Sequence, residues 1–165
     1  MLTAIDPWRL AKNTQTLHGK FSLSEMPRLL SGLELDNSGE GYFEWYFNVN
    51  KAGRAYIEGH AEVEIQVVCQ RCLQVMRVPL AAQTLLGLLS PRQNEDDLPE
   101  DWEPLVIDKI PMSLLDLLED ELILALPLVF RHDECPANQH QNTEEAEAMP
   151  AKENPFAVLA QLKQK

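Results

Sequence analysis

Cys69-Gln70-Arg71-Cys72 brings two thiols within one tight turn, and His132-Asp133-Glu134-Cys135 supplies a second pair of soft ligands about sixty residues later. Zinc prefers four such ligands in a tetrahedron, and a C-x-x-C turn places two thiolates on one side of an ion. Cys69, Cys72, His132 and Cys135 are therefore the candidate ligands of a Cys3His zinc site. The plainer alternative is that the cysteines mark a hairpin turn while His132 and Cys135 decorate a loop. A redox role for CQRC is disfavoured, because that chemistry sets the first thiol at a helix N-terminus and here a strand is expected to follow.

The chain offers no other reacting constellation: no Gly-rich phosphate loop, no G-x-S-x-G and no H-E-x-x-H. Asp116, Glu119, Asp120 and Glu121 read as the solvated face of a leucine-rich helix rather than as acids and bases. His18, His60 and His140 stand alone in sequence. Lys51, Arg54, Arg71 and Arg77, near Tyr46 and Tyr56, are candidates for a small basic and aromatic patch that touches RNA or a partner.

These residues have to be held by a scaffold, and its strongest signal is alternation. Phe43, Trp45, Phe47 and Val49 alternate with polar neighbours; Ala55, Ile57, Gly59, Ala61, Val63, Ile65 and Val67 continue the period after a turn at Lys51-Ala52-Gly53. Met76, Val78, Leu80 and Ala82 form the return run, so residues 55 to 84 read as a long hairpin with CQRC at its tip. Pro79 marks the return strand as an edge or a bulge. Asp6-Pro7 opens a short helix or turn, residues 17 to 23 are extended, and Ser24 caps a few helical residues that end at Gly32. Residues 90 to 103 carry two prolines and six acids and are expected to connect without packing. Residues 105 to 107 allow a short strand. Ser113 and Asp116 resemble a capping box for a helix whose stripe is Leu114, Leu117, Leu118 and Leu122, stopped by Pro127.

The expected architecture is α+β: an antiparallel β-meander with a long hairpin, covered by one main helix, plus a mobile acidic tail. The domain spans 1–131, an acidic flexible linker 132–153, and a short docking helix 154–165. Asn154 and Pro155 open that last segment and Phe156 and Leu159 give it an apolar side. A helix so short needs a surface, whether a partner or its own sheet.

Charge limits the partners. The 165 residues carry a net −12, but residues 1–91 hold nine acids and eight bases, 92–149 sixteen acids and three bases, and 150–165 one acid and three bases. A polyanion is bound by displacing its counterions with Lys and Arg, so the acidic half suits a basic protein better than RNA. No run approaches the roughly eighteen apolar residues that cross a bilayer, the N-terminus lacks a signal-peptide layout, and three cysteines suit a reducing compartment. A cytoplasmic location and no small-molecule substrate are expected.

Several segments together resemble the YceD family of large ribosomal RNA subunit accumulation proteins: DPWRLA at 6–11, VVCQRCLQVMRVPL at 67–80, LEDELILALPLV at 118–129, the His132 and Cys135 neighbourhood, and NPFAVLAQLK at 154–163. The resemblance implies a non-enzymatic accessory role in ribosome biogenesis, supporting the synthesis, processing or stability of large-subunit (23S) rRNA. The implied partner is a precursor of the large subunit, reached through a ribosomal protein or rRNA. The family's CxxC maps to Cys69 and Cys72. The rival readings are a zinc- or thiol-dependent enzyme and a cytosolic adaptor unrelated to ribosomes.

Overall fold

The computed structural model describes residues 4–33, 35 and 38–135. Its centre is a five-stranded sheet in the order β2 (Thr16–Ser22), β3 (Glu40–Val49), β4 (Ala55–Val68), β5 (Val75–Leu89) and β6 (Glu103–Val106). The alternating segments make its antiparallel body. Trp45 stands opposite Gly59 across β3 and β4, and the β4–β5 ladder runs from Tyr56↔Gly87 to Val68↔Val75, so the hairpin is longer than the alternation indicated. The expected strand at 105–107 is β6, but it pairs parallel to β5 through Leu86–Leu89, so the sheet is not a pure meander. Pro79 falls where β5 is the free edge of the sheet, which suits a residue with no N–H to donate.

Period two sorts the strands into two faces. The inner face carries Phe43, Trp45, Phe47, Ile57, Ala61, Ile65 and Leu80, all essentially removed from water, each contributing about 2 kcal/mol per large side chain. Trp45 packs edge-on to Phe43, with ring centroids 6.1 Å apart. Gly59 makes room for this pair: a Cβ there would lie 2.1 Å from the Glu44 carbonyl oxygen and 2.5 Å from Trp45 Cδ1.

Helices cover the inner face. α1 (Pro7–Lys12) starts at Asp6, whose carboxylate accepts the Arg9 N–H, and packs on β3 and β4. A single 3-10 turn, Leu23–Glu25, precedes α2 (Pro27–Ser31), which begins after Met26 with no side-chain cap. Ser24 thus does not cap that helix; Ser22 caps the turn before it. α3 (Leu114–Leu124) opens at Ser113, whose hydroxyl accepts the Asp116 N–H, and buries Leu114, Leu117, Leu118 and Leu122 against the sheet. Two further strands, β1 (Ala4–Ile5) and β7 (Met112–Ser113), pair with each other just before the helices they precede.

Two expectations for α3 and the acidic loop are corrected. Glu119 and Glu121 are buried, not solvated. Glu119 caps α2 from a distance: its Oε1 accepts the backbone N–H groups of Arg28 (2.6 Å) and Leu29 (3.0 Å), and its Oε2 accepts Arg28 Nε–H (2.8 Å). The Arg28 guanidinium also reaches Asp120 and the Asp116 carbonyl, closing a clamp between α2 and α3. These carboxylates, the Glu119 hydrogen bond first, raise the Arg28 pKa. The loop at 90–102 does pack: Leu98 and Trp102 lie over Gly87, and the Trp102 ring lies tilted against Tyr56 with ring centroids 4.7 Å apart.

Glu121 accepts the Thr84 hydroxyl at 2.9 Å within the interface of α3 and β5. Burial raises its pKa, with Glu103 and Asp120 adding to the rise and the Thr84 hydrogen bond opposing it. A carboxyl whose folded pKa exceeds its unfolded value, near 4.3, favours folding in its protonated form. That contribution is complete below the unfolded value and is lost as pH rises through the folded one. Glu121→Gln stays neutral and keeps an acceptor for Thr84. Its Tm should exceed wild type at pH 7 and vary less between about pH 4 and pH 7. Equal pH slopes for the two proteins would contradict this assignment.

Candidate metal centre

The hairpin tip is built by six residues between Val68 and Val75. Cys69 N–H donates to the Gln74 carbonyl and Leu73 N–H donates to the Cys69 carbonyl, both at 2.9 Å, so the turn folds back on its first cysteine. Closing it places Leu73 at φ +59, in the left-handed region that favours glycine. Beyond α3, which ends at Leu124 with Ala125 as its cap, ahead of Pro127, the chain returns to this tip. Gln70 N–H donates to the Phe130 carbonyl at 2.8 Å and ties the returning segment to the turn.

The two ligand pairs therefore converge. The ligand atoms of Cys69, Cys72, His132 and Cys135 all lie within 4.8 Å of one another. Cys69 Sγ is 3.8 Å from Cys135 Sγ, and Cys72 Sγ is 3.4 Å from His132 Nδ1. Bonds of about 2.3 Å from zinc to sulfur and about 2.0 Å to nitrogen give tetrahedral edges of about 3.8 Å and about 3.5 Å respectively. The Cys69–Cys135 and Cys72–His132 separations match those edges.

Electrostatics act in the same sense. Burial pushes the Cys69 thiol up, but backbone N–H groups of Cys72, His132 and Arg71 outweigh it and bring its pKa to about 5. Cys135 is pushed up to about 11 by burial and by the neighbouring Cys69 and Cys72 sulfurs. One sulfur is thus set up as a thiolate while its neighbour resists a second negative charge. A divalent cation among them would remove that conflict. The donor set and its spacing fit a metal such as zinc, and no helix follows CQRC to support thioredoxin-like chemistry.

The basic candidates do not gather into one patch. Lys51 and Arg54 lie at the β3–β4 turn, where Arg54 pairs with Asp97 at 3.4 Å. Arg71 is exposed at the far tip of the next hairpin, beyond the whole of β4, which spans roughly 40 Å. Arg77 lies on β5 and pairs with Glu64 at 3.3 Å. Asn154, Pro155, Phe156 and Leu159, with the rest of the expected linker and terminal helix beyond Cys135, lie outside the described residues. Sequence reading missed the backbone donors to Cys69; the compactness of C-x-x-C was the available hint.

The family model described as large ribosomal RNA subunit accumulation protein YceD matches residues 57–163, which takes in both ligand pairs. The chain is also similar to the large ribosomal RNA subunit accumulation protein YceD of Haemophilus influenzae, with 29% identity over 166 residues that cover 98% of this chain and 95% of the relative. No solved structure matches it.

Proposed function

Because the chain belongs to the YceD family of large ribosomal RNA subunit accumulation proteins, we propose that it supports the synthesis, processing or stability of large-subunit rRNA by binding, without catalysing a reaction. The family match carries this reading, since it extends over the tip, the helix and the returning segment and is joined by a relative of nearly equal length. The partner is a precursor of the large ribosomal subunit, met through a ribosomal protein or rRNA in the cytoplasm. No helix among the described residues is long and apolar enough to cross a membrane.

In this reading the centre at the tip holds a structural zinc ion through Cys69, Cys72, His132 and Cys135. Four protein ligands fill a tetrahedron, whereas catalytic zinc keeps one position for water or substrate. Three thiolates and an imidazole also suit zinc better than a hard cation such as magnesium. The ion would supply cross-linking: it would fasten the segment after α3 to the end of the long hairpin and so give the tip one shape. Lys51, Arg54, Arg71, Arg77 and the Asn154, Pro155, Phe156 and Leu159 segment remain contact candidates, divided between the two ends of the sheet and the chain's last residues.

The test is the ratio of large-subunit to small-subunit rRNA in cells that lack the protein. That ratio should fall, with free large subunits depleted in sucrose gradients, and return when the chain is restored. An unchanged ratio and a normal gradient would remove the ribosomal reading and leave the adaptor alternative. Turnover of RNA or protein by the purified chain, abolished with the metal, would favour the enzyme.

A further inference from the structure

The helices cover one face of the sheet, and among the described residues the other is covered only where Leu98 and Trp102 lie on its end. Its middle is a band of tyrosines and acids in fixed register. Tyr42 stands opposite Glu62, Glu44 opposite His60, and Tyr46 opposite Glu58. Tyr42 and Tyr46 are 37% and 43% exposed, large rings with no described element above them. Two hollows lie along this band. The larger, about 590 Å³, is bordered by Tyr46, Glu58, His60, Gln83, Asp101 and Glu103; the other, about 400 Å³, lies beside Tyr42, Glu62 and Ala81.

The charges on this face are unbalanced. Lys20 and Arg77 on it are already engaged, with Glu40 at 3.0 Å and with Glu64 at 3.3 Å, and His18 and His60 both stand opposite Glu44. Among the described residues no Lys or Arg forms an ion pair with Glu44, Glu58, Glu62, Asp101 or Glu103. The Tyr46 hydroxyl is held above its ordinary pKa, first by its hydrogen bond to Glu44 and then by burial and the nearby charges. Such a surface repels the phosphates of RNA and of anionic lipid, and it repels a second copy of itself. It attracts cations, and a ring face with a carboxylate directly across the strand pair offers a guanidinium or ammonium both stacking and an ion pair.

We propose that the open face of β3, β4 and β5 docks a Lys/Arg-rich segment of a basic protein, whose cationic side chains lie on Tyr42 and Tyr46 and pair with Glu58, Glu62 and Glu103. This rests on the accessory role above and names its partner class: a basic protein of the large-subunit precursor, bound through protein rather than RNA. The tip and the sheet face are then separate parts, one held by metal and one recognising charge.

The probe is a nona-arginine peptide titrated into the full chain at about 0.15 M salt, where distant charges are screened beyond roughly 8 Å. The Glu58→Gln, Glu62→Gln, Glu103→Gln triple variant should weaken binding at least about tenfold, and Tyr42→Leu with Tyr46→Leu roughly threefold or more. Removing the same number of charges from the loop, by Glu95→Gln, Asp96→Asn and Glu100→Gln, should change it less than about twofold. Equal losses in the two triple variants would show attraction by net charge alone and overturn the proposal, as would unchanged binding in the face variant. Tighter binding of a 20-nucleotide RNA than of the peptide, in the same salt, would also overturn it. In cells, full restoration of large-subunit rRNA by the face variant would discard the docking face while leaving the accessory role intact; failure of the wild-type chain to matter for that rRNA would discard the role itself.

Discussion

Cys69→Ser should strip the metal from the chain and lower its Tm by roughly 10 °C. Cys69 is the most buried of the four ligands and the one toward which backbone N–H groups of Cys72, His132 and Arg71 converge. Serine keeps the volume but provides no thiolate, so three ligands remain around an ion that needs four. Apparent binding energies of about 10–16 kcal/mol in small zinc peptides include the folding of the whole peptide and are an upper limit here. The sheet has its own core, and linkage to zinc at about a thousand times Kd contributes about 4 kcal/mol. For a domain of this size that corresponds to roughly 10 °C. The decisive comparison is with chelator. Wild type should lose a similar amount of Tm when its metal is removed, while the Cys69→Ser chain, already empty, should not respond. A variant that retains a full equivalent of zinc, or a wild-type Tm indifferent to chelation, would contradict the site.

Glu119→Ala should cost about 3 kcal/mol and leave the metal in place. The carboxylate, only 3% exposed, serves as the missing cap of α2, whose own cap position is held by Met26. Removing it leaves the N–H groups of Arg28 and Leu29 without their acceptor and breaks the clamp to the Arg28 side chain. Breaking a buried pair costs about 3–5 kcal/mol, and the lower end applies because Arg28 is half exposed. Arg28→Ala should therefore cost less, about 1 kcal/mol, since Glu119 keeps its two backbone donors. Urea unfolding with zinc content measured in parallel checks both points. A Glu119→Ala chain as stable as wild type, or less stable than Arg28→Ala by no margin, would show that the cap is dispensable.

The legible parts of the fold were those with a local period. Alternation at 43–49 and 55–67 and the leucine stripe of α3 could be read because each residue's face is set by its neighbours' spacing. Glu121 was also readable in principle, because it follows Leu117 by four and Leu118 by three and so falls inside the stripe. Its charge masks that position, and the compensating Thr84 hydroxyl is far away in sequence. Glu119 carried no such signal, since its partners are about ninety residues upstream. The parallel pairing of β6 depends on how the 90–102 loop crosses the end of the sheet, which its composition does not encode. The metal site was half legible: residue types and pair spacings pointed to it, but the meeting of the pairs depends on α3 turning the chain back toward the tip. The basic residues lie apart for the converse reason, because Arg54 and Arg71 are close in sequence but the strand between them is extended.

Whether a metal at the tip is needed for large-subunit rRNA to accumulate is decided by complementation. Cells lacking the protein would receive either wild type or the Cys69→Ser, Cys72→Ser double variant at equal steady-state level, and the ratio of large- to small-subunit rRNA would be quantified. Wild type is expected to restore the ratio and the metal-free variant to leave it depressed. Full restoration by a variant shown to carry no metal would separate the tip's metal from this role.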